Sequence, residues 1–180
     1  IIIPTERMTI EEVASTSEHL YINVLDNVIG KIWPYRFLDG AWVKQDIDFP
    51  GNGTIDFISS DFVSNKLLVS YENFLLPDTL FLIDGTIPTE VKSIPHKFDS
   101  SQYKIEQMEA KSSDGTMIPY FQISRRDLKL NGTNPTLLYG YGGFEVSLTP
   151  TYSALLGKLW LDQGGVYVLS NIRGGGEFGP

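Results

Sequence analysis

Two glycine-rich segments hold the residues with the clearest capacity for chemistry. In Leu137 to Phe144, LLYGYGGF, Tyr141 stands between Gly140 and the pair Gly142-Gly143. Glycine accepts positive φ and lets the backbone come close to a ligand, while a tyrosine hydroxyl donates a hydrogen bond without carrying charge. Such a bend suits the stabilisation of developing negative charge. The same residues also suit a tight strand-to-helix turn whose glycines relieve crowding and whose tyrosines pack. The second segment is Asn171 to Gly179, NIRGGGEFG. Its three consecutive glycines follow an apolar run, the place where parallel sheets carry ligand loops. A phosphate cradle is one use of them, but the segment fits neither GxGxxG nor GxxxxGK[ST], and Glu177 would oppose an anion. Arg173 and Glu177, four apart, are expected to pair.

Other catalytic groups are sparse. His19 lies in an apolar run and His96 in a Pro-rich link, neither beside a nucleophile. There is no G-x-S-x-G elbow, HExxH, EF-hand loop or paired-carboxylate pattern, so these residues alone do not complete an active site. Asn52-Gly53-Thr54 and Asn131-Gly132-Thr133 have the glycosylation pattern and are read as turns.

The elements that must position these groups differ along the chain. Glu18 to Leu25, Gly30 to Phe37, Ala41 to Phe49, Thr54 to Ser59, Lys66 to Asn73 and Asp78 to Asp84 are short β-branched and aromatic runs. Asp26-Asn27, Asp39-Gly40, Pro50 to Gly53 and Asp84-Gly85 separate them with turn chemistry. Spacing of this kind belongs to a sandwich, barrel or propeller. Ile10 to Ser15, after Thr9 with Glu12 three residues on, is expected to form a helical turn. Past Phe98 the pattern changes. Tyr103 to Ala110 and Met117 to Ser124 form a hairpin around Ser112 to Gly115. Thr136 to Tyr139 has the composition of a strand buried on both faces, a helix is expected from a Thr151 cap to about Gln163, and Val166 to Ile172 is another buried strand. Strand, helix, strand implies a parallel crossover. The expected organisation is therefore an all-β unit over residues 1–98 and an α/β unit over 99–180, with the break between Ser93 and Ser101.

Composition limits the possible functions. The 180 residues include 22 acidic and 14 basic side chains, for a net charge of −8, with 42% hydrophobic and 20% charged residues. That is globular usage, not disorder or coiled coil. Without a clustered Lys/Arg surface, nucleic acid is excluded as a partner. The absence of cysteine rules out a disulfide, a thiol nucleophile or Cys-ligated zinc. No apolar run approaches the length of about 18 residues that a membrane helix needs, so no membrane partner is expected. The opening Ile1-Ile2-Ile3-Pro4 has neither a basic leader nor an initiator Met, so a piece of a longer protein is expected.

The segment Pro135 to Gly179, with YGYGGF, SLTPTYS (Ser147 to Ser153) and GGVYVLSNIRGGGEFG (Gly164 to Gly179), closely resembles the prolyl oligopeptidase family of serine peptidases. SSDGTMIPYFQI (Ser112 to Ile123) resembles the hairpin that opens that family's catalytic domain, and Gly143-Phe144 is similar to its prolyl-specific branch. Residues before Phe98 resemble the family's last propeller blades more loosely. The resemblance implies the last blades of a β-propeller over residues 1–98, followed over 99–180 by the first strands and helix of an α/β-hydrolase catalytic domain, both incomplete. It implies a serine-type endopeptidase acting on short peptides on the carboxyl side of proline. Tyr141 would donate to the oxyanion, and Phe144 would line the pocket for the proline ring. No metal or organic cofactor is implied.

In that family the serine, aspartate and histidine lie beyond the RGGGE segment, so these 180 residues alone are expected to be inactive and to self-associate through uncovered edges. A cytoplasmic setting is expected, with the periplasm as the alternative. The rival functions are a non-catalytic binding or assembly module and nucleotide binding at RGGGE.

Overall fold

The computed structural model describes residues 2–179. Strands β1 (Met8–Ser15), β2 (His19–Asp26), β3 (Ile29–Leu38) and β4 (Ala41–Lys44) form one antiparallel meander, each paired with the next. Strands β5 (Thr54–Ser60), β6 (Lys66–Glu72), β7 (Thr79–Asp84) and β8 (Ile87–Ser93) repeat the arrangement.

The alternation of side chains along a strand explains how β2 serves two cores. Tyr21 joins Ile32, Ile55, Leu67, Val69, Tyr71 and Ile83 between the two meanders. The next residues, Ile22 and Val24, turn the other way onto Met8 and Tyr35. The Tyr21 hydroxyl donates to the Gly85 carbonyl at 2.6 Å, and burial pushes its pKa up to about 12. Asn23 Nδ2 donates to the Ile55 carbonyl at 2.7 Å, so the packed faces are also tied by polar bonds.

A third sheet follows, formed by β9 (Tyr103–Lys111), β10 (Met117–Arg125), β11 (Thr136–Tyr139) and β12 (Val166–Ser170) in the order β11-β12-β10-β9. β10 is antiparallel to both of its neighbours, and β11 runs parallel to β12. Its core of Phe98, Tyr103, Phe121, Ile123, Leu161 and Leu169 is completed by Val28 and Phe74 from the first two sheets. Val28 is the second residue of the two-residue turn between β2 and β3, with φ +50 at Asn27 and +68 at Val28. A β-branched residue is unfavourable there by about 1–2 kcal/mol. Its complete burial, which contributes about 1.5–3 kcal/mol, offsets that cost.

Polar bonds fix the third sheet and its loops to the meanders. Arg7 pairs with Glu109 and donates to the Met117 carbonyl at 3.2 Å. Thr54 Oγ1 donates to the Pro150 carbonyl at 2.7 Å, and the Tyr152 N–H donates to Glu72 Oε2 at 2.9 Å. Burial raises the Glu72 pKa, opposed by that hydrogen bond.

Several expectations are corrected. The mixed class, with an α/β-hydrolase portion over 99–180, gives way to an all-β arrangement, with twelve strands and one short α-helix, α1 (Ala154–Leu159), among the described residues. That helix is capped by Ser153, whose side chain accepts from the Leu156 N–H, and not by Thr151. It stops at Leu159 because Trp160 leaves helical geometry at φ −124, and Leu161–Gln163 continues as a 3-10 turn. β11 is not buried on both faces: it is an edge strand with a neighbour on one side only, and all four of its residues are exposed. Ile10 to Ser15 is not helical. It lies in β1, whose ladder with β2 absorbs an extra residue at a bulge between Ile10 and Glu12. The strand expected to reach Phe49 ends at Lys44. The first turn is Asn27-Val28, one residue later than expected, because Asp26 pairs with Ile29. Among the described residues no helix is long and apolar enough to cross a membrane.

Candidate functional site

The two glycine-rich segments lie against each other. β11 delivers the first and β12 the second, and the parallel pairing of these strands brings their carboxyl ends side by side. Gly142 takes φ +61, and a Cβ built on it would sit 2.6 Å from both the Arg173 carbonyl oxygen and Ile172 Cγ1. Only glycine meets both demands. The Glu145 N–H donates to the Gly174 carbonyl at 3.1 Å, and the Val146 N–H donates to the Gly143 carbonyl at 3.1 Å. Phe144 and Glu145 both take φ +54, a strained conformation for residues with side chains.

Replacing Gly142 with alanine is expected to lower the unfolding free energy by about 1–3 kcal/mol, read as a shift in denaturant midpoint. An unchanged midpoint would show that the loops are not packed this way.

Tyr141 and Phe144 are thus carried by one bend and both face outward. Tyr141 is 47% exposed and Phe144 91%. The Tyr141 ring lies over Gly143, whose Cβ position is 3.3 Å from ring carbons. Among the described residues no group engages the Tyr141 hydroxyl, which leaves its proton available. Beyond the bend, Ser147 and Thr149 help to line a cleft of about 330 Å³ that also holds Glu11, Glu12 and Asp56. Burial, then the neighbouring carboxylates, raises the pKa of Glu11 and of Asp56. Glu12 accepts from Asn23 Nδ2 at 3.1 Å and from the Phe57 N–H at 2.8 Å.

The RGGGE segment departs from expectation. Arg173 does not pair with Glu177. No helix forms there to align residues four apart, and Arg173 instead pairs with Asp114 and donates to Ser112 Oγ at 3.2 Å. The guanidinium holds the Asp114 carboxyl well below the usual carboxylate range. Glu177 turns inward, where Oε1 accepts from the Leu148 N–H and from Asn171 Nδ2, each at 3.0 Å. The glycines are used to pack against the first segment: a Cβ on Gly176 would lie 2.9 Å from Ser147 Oγ. With its arginine paired and a carboxylate inside, the segment is not arranged to hold a phosphate.

The histidines are remote from this bend. His19 is buried between Asn65 Oδ1, 2.8 Å from Nδ1, and Gln45 Oε1, 3.0 Å from Nε2. His96 lies near Ser100 Oγ and the ring of Tyr152. The residues missed from sequence are Asn171 and Glu177, whose side chains bind the backbone of Leu148 just beyond the bend. The available signal for Asn171 was a polar residue directly after a buried strand and three residues before the glycines.

Two consecutive four-stranded meanders, packed face to face and followed by a mixed sheet that presents an exposed tyrosine, define a β-propeller type of architecture joined to a loop-bearing sheet. Residues 1–92 match the family described as prolyl oligopeptidase, N-terminal beta-propeller domain. The chain belongs to the prolyl oligopeptidase family. It is 43% identical to an uncharacterized peptidase of Sinorhizobium fredii, over 100% of this chain and 25% of that protein. It is 36% identical to a prolyl endopeptidase of Elizabethkingia meningoseptica, over 93% of this chain and 25% of that protein. The solved structure of a post-proline cleaving enzyme from Rickettsia typhi superposes with a TM-score of 0.81 at 34% identity, covering 100% of this chain and 26% of the other. The chain spans about a quarter of the length of the curated relatives it matches.

Proposed function

We propose that the protein carrying this chain is a serine-type endopeptidase that cleaves short peptides on the carboxyl side of proline, and that its two units divide between residues 98 and 99. The observation that supports this is the unspent Tyr141 hydroxyl on a glycine-shaped bend beside the exposed Phe144. When a serine attacks an amide carbonyl, the oxygen gathers negative charge. A fixed neutral donor about 2.7–3.1 Å away then stabilises the transition state more than the ground state. Tyr141 fills that role, and Phe144 offers the proline ring an apolar plane. The nucleophile and its base are assigned outside these 180 residues, which contain no G-x-S-x-G.

The test is hydrolysis of a proline-containing chromogenic peptide by the full-length protein, compared with its alanine counterpart. Cleavage after proline is expected, and no cleavage of either peptide would support a binding module instead. Phe144→Ala is expected to reduce the preference for proline over alanine about 10-fold, a difference within reach of one apolar contact surface. Unchanged preference would remove Phe144 from the pocket.

A further inference from the structure

We infer that Glu177, together with Asn171, is a positioning residue that sets where the Tyr141–Phe144 bend points. This rests on the proposed oxyanion role of Tyr141. The bend is held at its start by β12 and, beyond its far end, by the loop that follows β12. At its start, Gly140 continues β11, which is laddered to β12 from Thr136↔Val166 to Tyr139↔Leu169. Beyond its far end both polar backbone groups of Leu148 are bound: the N–H donates to Glu177 Oε1 at 3.0 Å, and the carbonyl accepts from Asn171 Nδ2 at 2.7 Å. Asn171 Nδ2 also donates to Glu177 Oε1 at 3.0 Å, closing a three-way junction. The Asn171 N–H donates to the Pro119 carbonyl at 3.0 Å, which ties the junction to the start of β10 at the centre of the third sheet.

Two features show that this junction is expensive for stability alone. Glu177 is 4% exposed, yet among the described residues no cation pairs with it, Arg173 being turned to Asp114. Burying a carboxylate without a countercharge is costly even when it is hydrogen-bonded. Asn171 is also 4% exposed, and its Oδ1 is buried with no partner among the described residues. An unsatisfied buried acceptor costs about 1–3 kcal/mol. A neutral apolar contact would join two loops more cheaply. A junction that fixes the direction of Leu148 and, through the left-handed pair Phe144-Glu145, that of the bend accounts for the expense, because a misplacement of about 1 Å in a catalytic group can cost on the order of 100-fold in rate.

The experiment is a steady-state comparison in the full-length protein. Glu177→Leu is expected to lower kcat at least about 10-fold and, because Phe144 rides on the same bend, to reduce the preference for proline over alanine as well. Glu177→Gln, which keeps the accepting oxygen, is expected to recover most of the loss. Placed in a Tyr141→Phe background, Glu177→Leu is expected to lower kcat by less than about 2-fold more, because the oxyanion donor it positions is already gone. A kcat within about 2-fold of the parent for Glu177→Leu, or losses that multiply in full in the double variant, would overturn the inference. Where Glu177→Leu does not fold, Asn171→Ala is read by the same criteria. If neither accumulates as folded protein, the junction is a folding element and the positioning role is rejected. Failure of the underlying proposal looks different: Tyr141→Phe alone then leaves kcat unchanged, and the inference falls with it.

Discussion

Tyr141→Phe in the full-length protein is expected to lower kcat by about 100- to 1000-fold, with KM for a proline peptide within about 3-fold of the parent. The substitution removes one oxygen and leaves the ring that packs over Gly143, so the bend itself is preserved. The loss corresponds to about 2.7–4 kcal/mol of transition-state stabilisation. It falls on kcat because the hydrogen bond strengthens only as charge builds on the attacked oxygen. Parallel kcat and KM measurements with a chromogenic peptide decide the matter. An unchanged turnover number would leave Tyr141 as a surface residue, and a loss confined to KM would make it a substrate contact.

The second large effect concerns stability. Phe121→Ala is expected to cost about 3–5 kcal/mol, measured by denaturant unfolding. Phe121 is fully buried in β10, the strand flanked by β9 and β12, and its ring lies 5.5 Å from that of Phe74 in the core shared with Tyr103, Ile123, Leu161 and Leu169. Truncation leaves a cavity walled by the third sheet, by Val28 and Phe74 from the two meanders and by Phe98 of the link, which cannot collapse without moving these parts together. Phe121→Leu, which keeps most of the volume, is expected to cost less than half as much. A value below about 1 kcal/mol for the alanine variant would mean that the shared core is not packed as described.

Much of the β-structure was legible because its signals are local. Alternation along Lys66 to Asn73, and the Asp39-Gly40 turn with φ +49 and +83, specify a strand and a hairpin without reference to distant residues. What was not legible depends on neighbours far away in sequence. The run Thr136 to Tyr139 has the composition of a central strand, but its place at an edge follows from sheet order. Val28 holds a left-handed backbone where its side chain is buried in the core it shares with Phe74 and Phe121. For the candidate site, Tyr141 and Phe144 could be picked out from their glycine neighbours. The Glu177–Asn171–Leu148 junction could not, because spacing along the chain suggested a partner, Arg173, that the fold gives to Asp114.

Val28 has one more consequence. A turn from the first meander that serves as a wall of the third sheet's interior leaves that sheet without a complete hydrophobic interior of its own. Separating them would wet the valine, Phe74 and the face of Phe121 at once. The hairpin tip and the third sheet are therefore expected to open together, which couples the sheet bearing the Tyr141 bend to a residue more than a hundred positions earlier in the chain.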